Sequence, residues 1–241
     1  MLATPKQRIK TARAFVFDFY GTLVEDDFVV PPIWELLRQR GFESGPELQE
    51  IFEPDAFDGC RTPSVSDLPS HDEWCRENWL GLLRVSGVPE DLQDEVLDDL
   101  LRRQSLFSFR SVTSAVELLD ELRERGVKVG LCSNWESSIT GHLQKADLER
   151  FDGISVSAEV GARKPHSDIF LDICSKLSVK PEHVVFVGDK WTSDIIGSLR
   201  VGMTPVWIRR SEASRGLTHL VTEFESLHAF REYLLRFCSH G

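Results

Sequence analysis

Asp18 closes the apolar run Phe15-Val16-Phe17, and Gly21 and Thr22 follow it within four residues. A carboxylate delivered by a buried strand can attack an electrophile or bind a cation. Gly21 permits a sharp turn, and Thr22 brings a hydroxyl beside it. The pattern recurs downstream, where the run His183-Val184-Val185-Phe186-Val187-Gly188 delivers Asp189, with Asp194 five residues later. Thr192 or Ser193 is placed to cap a helix that holds Asp194 in its first turn. Three carboxylates gathered at two strand ends repel one another unless a cation sits among them, and an all-oxygen cluster suits Mg²⁺.

Such a cluster needs strands that end at one edge. Five short apolar stretches read as strands: 14–18, 127–133, 153–157, 184–188 and 204–208. Leu118, Leu119 and Leu122 form a helical stripe ahead of the second stretch, with Gly126 where that helix stops. Ile169, Phe170, Ile173 and Leu177 do the same ahead of the fourth. Alternating strands and helices imply an α/β fold, a parallel sheet covered on both faces with its chemistry at the carboxyl ends of the strands. The stretch from Asp26 to Leu106 breaks the alternation. Trp34, Leu36 and Leu37 suggest one helix there, Trp74, Trp79, Leu80, Leu82 and Leu83 a second, and Leu92, Val96, Leu97, Leu100 and Leu101 a third. Residues 43–69 are rich in Pro, Gly, Ser and Asp and read as turns or a mobile loop.

These residues resemble the haloacid dehalogenase superfamily, most of whose members are phosphatases. The first motif is Asp18 to Thr22 with Leu23. The second is Ser133 at a strand end with Asn134, the third Lys164 before Pro165, and the fourth Gly188-Asp189 through Asp194. All four stand in the family's order across nearly the whole chain. The resemblance implies a Rossmann-like doubly wound core built from 1–25 and 106–241. Residues 26–105 would form an inserted α-helical cap that closes over the site, hinged near 24–28 and 105–108. It also implies roles. Asp18 is the nucleophile and passes through an aspartyl-phosphate. Asp18, Asp189, Asp194 and the backbone carbonyl of Tyr20 hold Mg²⁺. Lys164 supplies positive charge to the substrate and steadies Asp18, while Thr22, Ser133 and Asn134 bind the substrate's oxygens. Trp135 and Trp191 are placed either to line the pocket or to pack on the core. Arg163 reads as a surface residue. Arg61, His71, Trp74 and Trp79 are cap residues within reach of a leaving group.

Tyr20 departs from the pattern. Most phosphatases of the superfamily carry a second Asp there, which protonates the leaving alkoxide, and a phenol with a pKa of about 10 suits that shuttle poorly. The Asp-x-Tyr-Gly-Thr-Leu form also resembles the hydrolytic dehalogenases, whose halide leaves without a proton. Those enzymes use no metal and carry a Ser-x-Asn stretch in the fourth motif, where this chain has Asp189 and Asp194. They also place an early cap Arg that receives the halide, and 47–53 contains none. A Mg²⁺-dependent phosphatase of small phosphorylated metabolites is therefore expected, with a metal-independent 2-haloacid dehalogenase as the alternative and a non-catalytic binding protein as the third reading. Glu25, Asp26 and Asp27 are candidate substitutes for the absent acid.

Composition sets outer bounds. The chain has 241 residues, 41% hydrophobic and 28% charged, enough for a large core or two domains. A formal net charge of −11 argues against a nucleic-acid partner and leaves a small-molecule substrate, bound through a few local cations. No apolar run approaches the roughly 20 residues of a membrane helix. The polar, basic first dozen residues lack the apolar core of a secretory signal. Five scattered cysteines, Cys60, Cys75, Cys132, Cys174 and Cys238, form neither a disulfide framework nor a zinc site, which points to the cytoplasm. Cys132 reads as a buried small hydrophobe. A monomer or a homodimer is expected.

Overall fold

The computed structural model describes residues 3–27, 33–42, 68–104, 109–135, 139–210, 216 and 219–237. Strand β1 (Ala14–Phe17) is buried at every position, as its unbroken apolar sequence requires of a strand covered on both faces. In chain order follow β2 (Val24–Asp26), β3 (Phe109–Ser111), β4 (Lys128–Ser133), β5 (Gly153–Val156), β6 (Val184–Gly188), β7 (Thr204–Ile208) and β8 (Thr222–Phe224). Six of these make one parallel sheet in the order β5-β4-β1-β6-β7-β8. The chain builds outward from β1 on both sides, so β1 marks the point where strand order reverses. Open α/β sheets bind their ligands there.

Side chains alternate across the sheet. Phe15 and Phe17 of β1 join Val185 and Val187 of β6 on one face, packed with Leu118, Leu119 and Leu122 of helix Ala115–Glu124 and Phe230 and Leu234 of helix Leu227–Phe237. Ala14 and Val16 join Val184 and Phe186 on the other face, against Ile169, Phe170, Ile173 and Leu177 of helix Ser167–Leu177. Cys132 is buried in that second layer. The fold is the expected α/β, Rossmann-like sheet flanked by helices. Three boundaries shift: Asp18 lies just past β1, Val127 lies just ahead of β4, and Ser157 opens a short helix, Ser157–Val160, instead of closing β5. The short strand β8 was not expected; three residues of mixed polarity carry no strand signal.

After β1 the chain enters a small antiparallel ribbon, β2 with β3, in which Val24 faces Ser111 and Asp26 faces Phe109. Between them run helices Ile33–Gln39, Leu68–Val85 and Glu90–Gln104. Leu37, Leu80, Leu83, Val88, Val96, Leu97 and Leu100 bury one another in an apolar cluster distinct from the two sheet layers, with Trp79 packed against it. Trp79 therefore serves this cluster. Arg61, most of the turn-rich stretch (43–67), and the hinge at 105–108 lie outside the described residues, as do the side chains of His71 and Trp74.

Candidate active site

Asp18 leaves the carboxyl end of β1 with its backbone N–H donating to Val187 O at 2.9 Å, so it stands between β4 and β6. The next turn is tight. Gly21 takes φ +88°, and a Cβ there would lie 2.3 Å from Asp189 Oδ2. Gly188, at the end of β6, would bring a Cβ within 2.4 Å of Asp194 Oδ2. These two glycines allow the carboxylates to close in on the strand ends, where any larger residue would push them apart. Ligand oxygens of Asp18, Asp189 and Asp194 all lie within 4.8 Å of one another.

Lys164 enters this cluster from the loop between helices Ser157–Val160 and Ser167–Leu177. Its Nζ donates to Asp18 Oδ1 and Asp194 Oδ1, each at 2.6 Å, and the residue is only 2% exposed. Burial alone would push its ammonium toward neutrality, but Asp18 and Asp194 outweigh burial and hold it charged. Asn134 locks the Lys164 backbone: Lys164 N–H donates to Asn134 Oδ1 at 2.7 Å and Asn134 Nδ2 donates back to Lys164 O at 3.1 Å. Ser133 Oγ lies 3.3 Å from Asp18 Oδ1, and Thr22 Oγ1 lies 3.4 Å from Asp189 Oδ1. Burial lifts Asp189 to about 7, with Asp18 and Asp194 adding to the rise. Burial likewise lifts Asp194 to about 6, against the opposing pull of Lys164. Among the described residues, three carboxylates thus face one ammonium, an excess of two negative charges that one divalent cation would match. A hard, all-oxygen donor set of this kind fits Mg²⁺.

Asp194 is buried completely, within a π-helical turn over Trp191–Ile196. The expected cap by Thr192 or Ser193 is not what forms. Asp194 does the capping itself, its Oδ2 accepting Lys190 N–H at 3.0 Å. Arg163 also departs from expectation: it is 5% exposed, because the turn that buries Lys164 carries its neighbour inward. Trp191 packs edge-on against Trp207 at 4.9 Å, and Trp135 against Phe19 and Phe109 at 5.4 and 5.7 Å. Both tryptophans pack against core clusters. Trp207 was not expected at the site. It is fully buried, and its Nε1 donates to Asp189 O at 2.9 Å, which ties the Asp189 turn to β7. An indole near the end of an apolar strand was the available signal.

Tyr20 is 39% exposed, and its hydroxyl donates to Asp26 Oδ2 at 2.7 Å. Burial of the phenol, reinforced by that hydrogen bond and by the charge of Asp26, pushes its pKa up to about 12. It stays protonated through the physiological range.

A carboxylate-bearing turn after the first strand, a buried Lys and two further carboxylates thus meet at the switch point of a parallel sheet. The pattern of the haloacid dehalogenase-like hydrolases matches residues 12–202, and the chain belongs to that family. It is 32% identical over 239 residues to ribulose-1,5-bisphosphate 5-phosphatase of Halopiger xanaduensis, a match covering 90% of this chain and 95% of the relative. It is 36% identical over 103 residues to glyceraldehyde 3-phosphate phosphatase of Methanopyrus kandleri, where the match spans 40% of this chain and less than half, 42%, of the relative. Among solved structures, a HAD-hydrolase of Bacillus subtilis, YfnB, bound to magnesium, superposes with a TM-score of 0.65 at 19% identity, covering 93% of this chain and 99% of that one. A dehalogenase superposes at 0.61 and 21% identity, covering 92% and 97%. At those identities the two structures speak for the fold alone.

Proposed function

We propose that this hydrolase is a Mg²⁺-dependent phosphatase of small phosphorylated metabolites, acting through an aspartyl-phosphate on Asp18. The observation that carries the reading is the cluster of Asp18, Asp189 and Asp194 within 4.8 Å, clasped by Lys164. Relatives named as phosphatases support it. Asp18, Asp189, Asp194 and the Tyr20 carbonyl would hold Mg²⁺. The ion would offset the repulsion between an anionic nucleophile and an anionic phosphate.

The remaining work falls to the chain. Lys164 Nζ and Ser133 Oγ both engage Asp18 Oδ1, so the second carboxylate oxygen is the one left for attack. That oxygen bonds to phosphorus as the ester P–O bond breaks. Water then attacks the same phosphorus, releasing phosphate and restoring the carboxylate. Lys164 stays charged throughout and offsets charge on the transferred group. Asn134 acts here by fixing the Lys164 backbone, and Thr22 by steadying Asp189. Helices within 26–105 would form the cap that excludes water.

Tyr20 replaces the usual acid with a phenol held by Asp26. Leaving groups that depart without a proton, such as aryl or acyl phosphates, are expected to turn over faster than sugar phosphates. Tyr20 is also the observation that favours the second reading, a metal-independent 2-haloacid dehalogenase. One experiment separates the two: phosphate release from an aryl phosphate and chloride release from 2-chloropropionate, each with Mg²⁺ and with a chelator. Phosphate release that requires Mg²⁺ supports the phosphatase. Chloride release indifferent to the chelator overturns it.

A further inference from the structure

We infer that Arg210 reads a second anionic group on the substrate, so that the preferred compounds are phosphomonoesters carrying a further phosphate or a carboxylate. The inference rests on the phosphatase reading and names the substrate class for that site.

Arg210 lies two residues past the end of β7, on the edge where Asp18 and Asp189 emerge. Gly188 of β6 pairs with Trp207 of β7, so Asp189 is level with Ile208 and Arg210 stands just above it. The two adjacent arginines part company. Arg209 turns toward β8, where its N–H donates to Phe224 O at 2.9 Å and its guanidinium meets Glu225 at 2.8 Å. Arg210 takes a left-handed φ of 50° and turns the other way, toward Glu25 of β2. That backbone conformation is disfavoured for a side-chain-bearing residue, and such positions collect at functional sites.

Glu25 does not satisfy Arg210. The gap is 3.9 Å, too long for a hydrogen bond, and Arg110 holds the same carboxylate at 3.0 Å. Two guanidinium groups therefore share one carboxylate at the rim, and the Arg210 side chain remains 47% exposed. Lys164, by contrast, is committed to Asp18 and Asp194 and has no reach beyond the reacting phosphate. A planar fork of donors at the mouth of an otherwise acidic site suits a phosphate or carboxylate on the far end of a short substrate. The relative that matches along nearly its full length carries a bisphosphate in its name.

The test uses the full chain with Asp18→Asn, which cannot turn over, and measures binding by calorimetry in the presence of Mg²⁺. Ribulose 1,5-bisphosphate is compared with ribulose 5-phosphate, and 3-phosphoglycerate with glycerol 3-phosphate; the two pairs separate a second phosphate from a carboxylate. Tighter binding of the doubly anionic member by about tenfold, falling to parity when Arg210→Gln is added and partly recovered with Arg210→Lys, supports the inference. The preference should also shrink as salt rises. No preference in either pair, or a preference that survives Arg210→Gln, overturns it. Phosphatase turnover is scored separately on the protein with Asp18 intact. Failure to release phosphate from any substrate would sink the activity, whereas a working phosphatase indifferent to the second anion would sink only the role of Arg210.

Discussion

Asp18, Asp189, Asp194 and Lys164 sit at the ends of packed strands and in a buried loop, each pinned by backbone or side-chain partners within 3.0 Å. Tyr20, Glu25, Asp26 and Arg210 instead occupy turns and a three-residue ribbon at the rim, half open to solvent, with contacts that reach 3.9 Å. The floor is rigid because two apolar layers hold the sheet from both sides. The rim ribbon meets these layers at Val24 and Phe109, while Glu25 turns toward solvent. Chemistry that must be placed to within a fraction of an ångström belongs on the first kind of support, and selection among substrates can be left to the second.

The sharpest way to break this contrast is at the floor. Asp18→Asn should cost about 10⁴-fold or more in aryl-phosphate turnover while thermal stability holds, because the amide removes the nucleophile and keeps the shape. Lys164→Met should fail twice. It removes the one ammonium between Asp18 and Asp194, destabilising the fold by about 3–5 kcal/mol, and it lowers kcat by about 10²–10³-fold. Unchanged thermal unfolding in that variant would show that the buried pair does not hold the floor together. Gly188→Ala places a methyl 2.4 Å from Asp194 Oδ2 and should cost about 1–3 kcal/mol along with much of the stabilisation by Mg²⁺.

A milder test uses pH. Asp189 and Asp194 titrate near 7 and 6 in the fold, above the ordinary range for Asp, so the folded chain holds protons that the unfolded chain has released. Their contribution to stability is present at acidic pH and is lost as pH rises through 6 and 7. With a chelator, stability from this cluster should fall between pH 5 and pH 8. Mg²⁺ should restore it, so the Mg²⁺-induced rise in Tm should grow across that interval, to about 5 °C at pH 8. A Mg²⁺ effect equal at both pH values would remove these two residues from the metal site. The smallest effect is expected at the rim. Tyr20→Asp should raise sugar-phosphate turnover relative to aryl-phosphate turnover by about tenfold, by returning a carboxylic acid to the leaving group. No change in that ratio would mean the absent acid is not what limits the reaction.

How much was legible follows the same division. The strands that carry Asp18 and Asp189 announce themselves as short apolar runs, because a strand buried on both faces has no polar alternation to hide it. The helix stripes and the stop at Gly126, φ 71°, were equally plain. Asp194 was legible as a residue but not as its own helix cap, since local rules favour Thr192 and Ser193 and give no hint that Gly188 opens space for a carboxylate to fold back. Arg163 was misjudged because its burial depends on where the Lys164 loop goes. β8 and Trp207 were missed for a related reason: a three-residue edge strand and one indole hydrogen bond acquire meaning only from their neighbours.

The amino-acid sequence by itself determined the fold class, the order of the motifs and the identity of the chemical groups, because apolar runs and residue types are local properties. Only the tertiary structure decided how those groups share charge. Lys164 bridging two carboxylates, Asn134 serving the Lys164 backbone and Arg210 turning to Glu25 all join residues carried by different parts of the fold. Charge interactions depend on distance through space, and distance through space is set by how the sheet stacks its strands.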